Sequence, residues 1–170
     1  MTVAAPLAIL SALGEEQQGL MGELTDAQCI PYAGREFWLG RLHGQPVVLA
    51  LSRIGKVAAA TTASALIERF GASRVVFTGV AGGVGDGVHV GDVVVGTGFV
   101  QHDMDASPLF PRYQVPLTGR SVFDGDAPLT AQLLQAAQVA LADGGPLGKA
   151  CVHQGLIASG DRFVNGREES

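Results

Sequence analysis

Charge and aromaticity are both scarce in this 170-residue chain: Asp, Glu, Lys and Arg make up 16% of it, and Phe, Trp and Tyr 6%. Basic residues are the rarer sign, 11 against 16 acidic, for a formal net charge of −5. No cluster of Lys and Arg occurs, which argues against the phosphate-neutralising surface that nucleic-acid binding needs. Cysteine is limited to Cys29 and Cys151. The two could pair, but no C-x-x-C or Cys/His spacing suggests a metal site, and both read as reduced thiols of a cytosolic protein. Long apolar runs are missing too. Nothing approaches the roughly 20 residues of a membrane span. Val3 to Leu13 is apolar like the middle of a signal peptide, yet it lacks a basic leader, and Gly14-Glu15-Glu16 follows without an obvious cleavage site. The expectation is a soluble, cytoplasmic protein that engages neither membrane nor nucleic acid.

What the chain does contain is 47% apolar residues and 24 glycines. That suits one domain spanning 1–170, able to bury a core without metals or disulfides. Leu7 to Leu13 reads as a strand buried on both faces. A helix begins at Glu15-Glu16-Gln17-Gln18, with acidic side chains favourably placed in its first turn. Arg35 to Leu42 and Pro46 to Leu51 read as a hairpin about His43-Gly44. Gly55 to Phe70 reads as a helix in which Val57, Ala60, Ser64, Ile67 and Phe70 recur at helical spacing, with Gly71 as its C-terminal cap. Further strands are expected over Arg74 to Thr78, Asp92 to Val95 and Ala150 to Ala158, and a helix over Ala127 to Asp143. The stretch Ser107 to Asp126, rich in Pro and Gly, reads as a long ordered loop. Alternating strands and helices indicate an α/β architecture with a largely parallel sheet.

Ligands in such sheets sit beyond the carboxyl ends of the strands. That rule selects Leu13 to Glu16, Gly79 to Gly83, and Ser159 to Val164. The Glu15-Glu16 pair is either a solvated first turn or the source of a partly buried general base. Gly79-Val80-Ala81-Gly82-Gly83-Val84-Gly85 fits neither G-x-G-x-x-G nor a Walker A loop. It offers close backbone approach and exposed amides to a ligand, or serves packing alone. His102-Asp103-Met104-Asp105 reads as an ordered hydrogen-bonded loop rather than a metal site, because no further ligands stand at recognisable spacing. In Ser159-Gly160-Asp161-Arg162-Phe163-Val164, an aromatic beside backbone donors and acceptors could hold a flat base.

Taken in order, these segments resemble the purine nucleoside phosphorylase superfamily, and most closely its hydrolytic branch, the 5′-methylthioadenosine/S-adenosylhomocysteine nucleosidases. The resemblance is carried by Ile9-Leu10-Ser11-Ala12-Leu13-Gly14-Glu15-Glu16, Ile54-Gly55-Lys56-Val57-Ala58-Ala59-Ala60, Thr78-Gly79-Val80-Ala81-Gly82-Gly83, Val90-Gly91-Asp92-Val93-Val94-Val95, His102-Asp103, and Ser159-Gly160-Asp161-Arg162-Phe163-Val164-Asn165-Gly166. It implies a three-layer α/β/α fold with a mixed central sheet. It also implies cleavage of an adenine thionucleoside to adenine and a thioribose product, in methionine salvage, with no cofactor. By the resemblance Glu16 is the catalytic glutamate that deprotonates the attacking water. Ile54, Val80, Ala81 and Gly82 line the ribose and base, Phe163 stacks on adenine, and Val164 reads the base edge through its backbone. Ala106 and Leu109 match positions lent to a partner's 5′-alkylthio pocket, which implies a homodimer.

Two departures from the family stand out. The sequence stops at Arg167-Glu168-Glu169-Ser170, before the family's ribose-binding glutamate and its general-acid aspartate, so the fold is expected to be C-terminally incomplete. Val80 replaces a Ser or Thr of many relatives. Two other readings remain open. One is a phosphorylase, which would require basic residues such as Arg53 around the glycine turn. The other is an inactive nucleoside-binding remnant.

Overall fold

Strand β1 (Leu7–Ser11) is buried along nearly its whole length because both of its faces are covered. On one face Ala8 and Leu10 pack with Phe37, Val48, Ala50, Leu66 and Ala72; on the other Ile9 packs with Val47 and Leu49. The computed structural model describes residues 5–142, 150–162 and 164. They fall into two compact units, Met1–Ala81 and Gly82–Ser170.

In the first unit, β1 is followed by α1 (Gly14–Glu23), β2 (Thr25–Tyr32), β3 (Arg35–Leu42), β4 (Gln45–Leu51), α2 (Lys56–Glu68) and β5 (Arg74–Phe77). The strands form one mixed sheet in the order β2-β3-β4-β1-β5, with β1 parallel to both neighbours and β2, β3 and β4 antiparallel. Leu20, Met21 and Leu24 in and after α1 cover one face, while Ala63, Ala65 and Leu66 of α2 cover the other. The expected α/β/α layering is therefore present within this unit. The expected hairpin is β3–β4, and its turn residues His43 and Gly44 have φ of 48° and 82°, the left-handed pair that a two-residue hairpin requires. Strand β2 did not register in the sequence pattern. It is an exposed edge strand with Pro31 inside it and a register shift between Thr25 and Gln28, features that belong at a sheet edge.

Helix α2 forms where expected but buries a different stripe. Val57 is 76% exposed and Ile67 49%, and Ala60 and Ser64 are also exposed. Thr62 and Leu66 are the buried residues, and of the expected series only Phe70 joins the core. The helix is apolar almost all round, so spacing alone does not choose its inner face. Thr62 is tolerated inside because its hydroxyl donates to the Ala58 carbonyl at 2.7 Å. Gly71, at φ 69°, ends the helix, and the amides of Gly71 and Ala72 return to the carbonyls of Ile67 and Leu66.

In the second unit, β6 (Val93–Gln101), β7 (Val122–Asp124), α3 (Ala127–Ala140) and β8 (Val152–Ser159) form a three-stranded mixed sheet in the order β7-β6-β8. Strand β6 runs well past the expected Val95. Strand β7 lies inside the segment expected to be loop, paired antiparallel to β6. The last expected helical residue, Asp143, lies outside the described residues. Among the described residues no helix is long and apolar enough to cross a membrane.

Candidate functional site

The strand-to-helix junction after β1 places Glu16 in the first turn of α1. Its Oε2 accepts the amides of Ala12 and Leu13, both at 2.9 Å. The Leu13 bond is one half of a capping box, in which the third helical residue reaches back to the N-cap amide. Leu13 has no side-chain oxygen to complete the other half. Oε1 points instead to the end of β5 and accepts the Val80 amide at 3.0 Å. Strand β5 lies beside β1, and Thr78 N extends their ladder to Leu10 O at 2.9 Å. The carboxylate thus bridges the carboxyl ends of two parallel strands, the position where open α/β sheets hold ligands.

Gly79 makes this possible. A Cβ at that position would lie 2.7 Å from Glu16 Oε1 and 3.0 Å from its Cδ. Its glycine is required by the approach of a carboxylate. The sequence pattern marked Gly79 only as part of a turn, and nothing in periodicity points to its partner in α1.

Of the other expected site residues in this unit, Val80 is 87% exposed, and Ala81 beside it is also exposed. The structure joins Val80 to Glu16 through the backbone. Ile54 is 78% exposed, in the loop that follows β4. Neighbouring Arg53 holds a φ of 66° and donates from its guanidinium to Gly34 O at 3.0 Å, so it braces the β2–β3 turn.

In the second unit, Gly82 has open space where a Cβ would be. Ala106 opens a tight turn, its carbonyl accepting the amides of Leu109 and Phe110, and Leu109 is 84% exposed. Val164 is partly exposed after β8. Phe163 lies outside the described residues. The 102–105 loop is hydrogen-bonded as expected: Asp103 Oδ2 accepts the Asp161 amide at 2.7 Å, and Asp105 Oδ1 holds the Ser107 amide and hydroxyl. Bonds from Ser107 keep the Asp105 carboxyl below its ordinary range. Among the described residues, no group of three or more His, Cys, Asp or Glu side chains is placed to hold a metal ion.

From sequence, Asp92 has no role beyond the start of an expected strand. Its side chain is 4% exposed at the start of β6. Oδ1 accepts the Cys151 amide at 2.8 Å, and Oδ2 meets the His89 amide at 2.8 Å and His153 Nε2 at 2.9 Å. The amides of Cys151 and His89, followed by His153, hold this carboxyl far below the usual range. A lone acidic residue between apolar runs gives no signal of such burial.

The geometry accords with known proteins. A family model described as the phosphorylase superfamily matches residues 6–170. The 5′-methylthioadenosine/S-adenosylhomocysteine nucleosidase of Actinobacillus succinogenes is 36% identical over 163 residues, 95% of this chain and 67% of the relative. That of Shewanella loihica is 34% identical over 158 residues, 93% of this chain and 66% of the relative. The chain therefore spans about two thirds of the length of the curated relatives it matches. Among solved structures, the Neisseria meningitidis nucleosidase in complex with methylthio-immucillin-A matches with a TM-score of 0.88 and 36% identity, over 96% of this chain and 68% of that one. The Colwellia psychrerythraea nucleosidase in complex with adenine matches with a TM-score of 0.86 and 34% identity, over 98% and 66%. The chain belongs to the phosphorylase superfamily and, within it, to the family of 5′-methylthioadenosine/S-adenosylhomocysteine nucleosidases.

Proposed function

We propose that this chain hydrolyses the N-glycosidic bond of 5′-methylthioadenosine or S-adenosylhomocysteine, releasing adenine and a thioribose, with Glu16 activating the water. The observation that supports it best is the Glu16 carboxylate, bridged between Leu13 and Val80 at the carboxyl ends of β1 and β5. Cleavage of a ribosyl C–N bond passes through an oxocarbenium-like state and needs a deprotonated water on one side and a proton for the leaving base on the other. Glu16 takes the first role: its oxygens, oriented by backbone amides, accept a proton from water as the water attacks the anomeric carbon. Adenine leaves with a proton at N7, which in the family comes from an aspartate that follows the stretch matched here.

The remaining roles carry over from the resemblance as proposals. Ile54, Val80, Ala81 and Gly82 contact ribose and base, Phe163 stacks on adenine, and Val164 reads its edge. Ala106 and Leu109 serve a partner subunit's 5′-alkylthio pocket, so the working protein is a homodimer, and we place it in the cytoplasm. The adenine and methylthio-immucillin-A bound to the relatives support an adenine thionucleoside as the small-molecule partner.

Adenine release from methylthioadenosine, measured with and without phosphate and beside Glu16→Gln, tests this reading. Phosphate-independent release that Glu16→Gln abolishes upholds it. Release that requires phosphate makes the chain a phosphorylase, and adenine binding without release makes it a binding remnant.

A further inference from the structure

The parallel β6–β8 ladder runs as far as the pair Gln101 and Ser159, and His102 N then donates to Ser159 O at 3.0 Å. Past that point the Asp103 side chain fastens the β8 side. Its Oδ2 accepts the Asp161 amide at 2.7 Å, the short distance of a charge-assisted bond. Gly160, between the fastened Ser159 carbonyl and Asp161 amide, is pressed from the same side. A Cβ there would lie 2.5 Å from His102 Nε2, 2.8 Å from Asp103 Cγ and 2.9 Å from Asp103 Oδ2. Gly160 does not hold a left-handed φ, so space alone excludes a side chain. At the other end of the same two strands, Asp92 ties the start of β6 to the Cys151 amide ahead of β8. Each end of the β6–β8 pair is thus closed by a β6-flanking aspartate on a β8-flanking amide.

The two clasps have different work to do. The one at Asp92 joins the amino ends of parallel strands, away from ligands. The one at Asp103 sits at their carboxyl ends, where ligand-binding loops emerge. In sequence, residues 159–161 stand three positions before Val164, whose backbone reads the base edge in the function proposed above. Edge recognition by main-chain groups requires the backbone to be held within about 0.5 Å.

We infer that Asp103 is a positioning residue for the purine base: with His102 packed on Gly160, it locks the 159–161 turn so that the following backbone is preorganised for adenine. The inference rests on the functional reading above. Asp103 does not touch the base; it acts through the Asp161 amide.

The test measures adenine binding by isothermal titration, thermal melting, and hydrogen exchange of the Asp161 amide, on the unaltered chain and on Asp103→Ala, Asp103→Asn and Gly160→Ala. The Asp161 amide exchanges slowly in the unaltered chain and rapidly in Asp103→Ala, and adenine binds about tenfold more weakly, the worth of one charge-assisted hydrogen bond. Asp103→Asn keeps an oxygen for the amide and recovers most of the affinity. Gly160→Ala weakens binding as Asp103→Ala does, because its methyl displaces the His102 ring and the carboxylate. If Asp103→Ala does not fold, Gly160→Ala and Asp103→Asn still decide: adenine affinity unchanged in Gly160→Ala overturns the inference. Unchanged affinity in a folded Asp103→Ala whose Asp161 amide exchanges rapidly overturns it as well. An unaltered chain that binds no adenine defeats the functional proposal first, and this one with it.

Discussion

Replacing Gly79 with Ala tests the Glu16 site without removing a functional group. The added Cβ falls 2.7 Å from Glu16 Oε1, 3.0 Å from Cδ and 3.2 Å from Oε2. Nonbonded heavy atoms rest at about 3.5 Å, so the carboxylate or the end of β5 must move by roughly 0.5–1 Å. Such a shift breaks the 3.0 Å bond from Val80 N. The Ala12 and Leu13 bonds to Oε2 survive, so the start of α1 keeps its cap. The loss of one amide–carboxylate bond at an exposed turn costs about 1 kcal/mol of stability. Displacing a water-activating carboxylate by that distance lowers the rate about 10- to 100-fold. Initial rates of adenine release across methylthioadenosine concentrations, with a thermal melt of the same sample, separate the two effects. The expected result is a fall in kcat by that factor with KM little changed and only a small drop in Tm. A Gly79→Ala chain that turns over at the unaltered rate would refute the placement of Glu16 as the base.

The fold carries predictions that do not depend on activity. Leu66→Ala, at a fully buried position, destabilises by about 3 kcal/mol in urea titration, whereas Val57→Ala, on the exposed face, stays within about 0.5 kcal/mol; equal losses would show that α2 packs by its other side. Gln17 is buried and donates to the carbonyls of Ile9 and Ala50 at 3.3 and 3.2 Å. Gln17→Met keeps the length without the donors and costs about 2 kcal/mol, and an unchanged urea midpoint would count against those bonds. The Asp92 carboxyl holds its proton more weakly folded than unfolded. As pH falls below the ordinary carboxylate value of 3.8, the unfolded chain takes up that proton first and stability declines, while above about pH 5 the contribution is complete and flat. Asp92→Asn therefore melts with a shallower acid limb than the unaltered chain, and parallel curves between about pH 3 and pH 6 would exclude Asp92 as its source.

How legible each feature was depended on how local its cause is. The β3–β4 hairpin is written in His43-Gly44, two residues that can both take the left-handed φ its turn demands. Gly71 ends α2 for an equally local reason. Strand β1 stood out because burial on both faces removes polar residues from Leu7 to Leu10. The inner face of α2 was not legible: Val57 and Ile67 are as apolar as Leu66, and only the neighbours Phe37 and Val48 decide which side is covered. Strands β2 and β7 lie at sheet edges and are largely exposed, and β7 is only three residues long, so neither shows the pattern of a buried strand. Their pairing lies in their partners and not in their own composition.

The site divides along the same line. Glu16 and the 79–83 glycines could each be located from the rule that ligands gather at the carboxyl ends of strands, but that rule does not say which loops are neighbours. Glu16 and Val80 are separated by 64 positions, and they meet only because β5 pairs directly with β1. That strand order turns a first-turn carboxylate, otherwise an ordinary helix cap, into a group shared between two strand ends. It also explains the glycine. At position 79 a side chain would compete with Glu16 for the same space, so the turn must stay bare wherever the carboxylate is kept. The loop of Asp103 reads as hydrogen-bonded from sequence, but the partners of Asp103 and Asp92 do not, because those partners are amides and every position but proline has one. An amide leaves no trace in composition, so what such an aspartate clasps emerges only when the strand beside it has been placed.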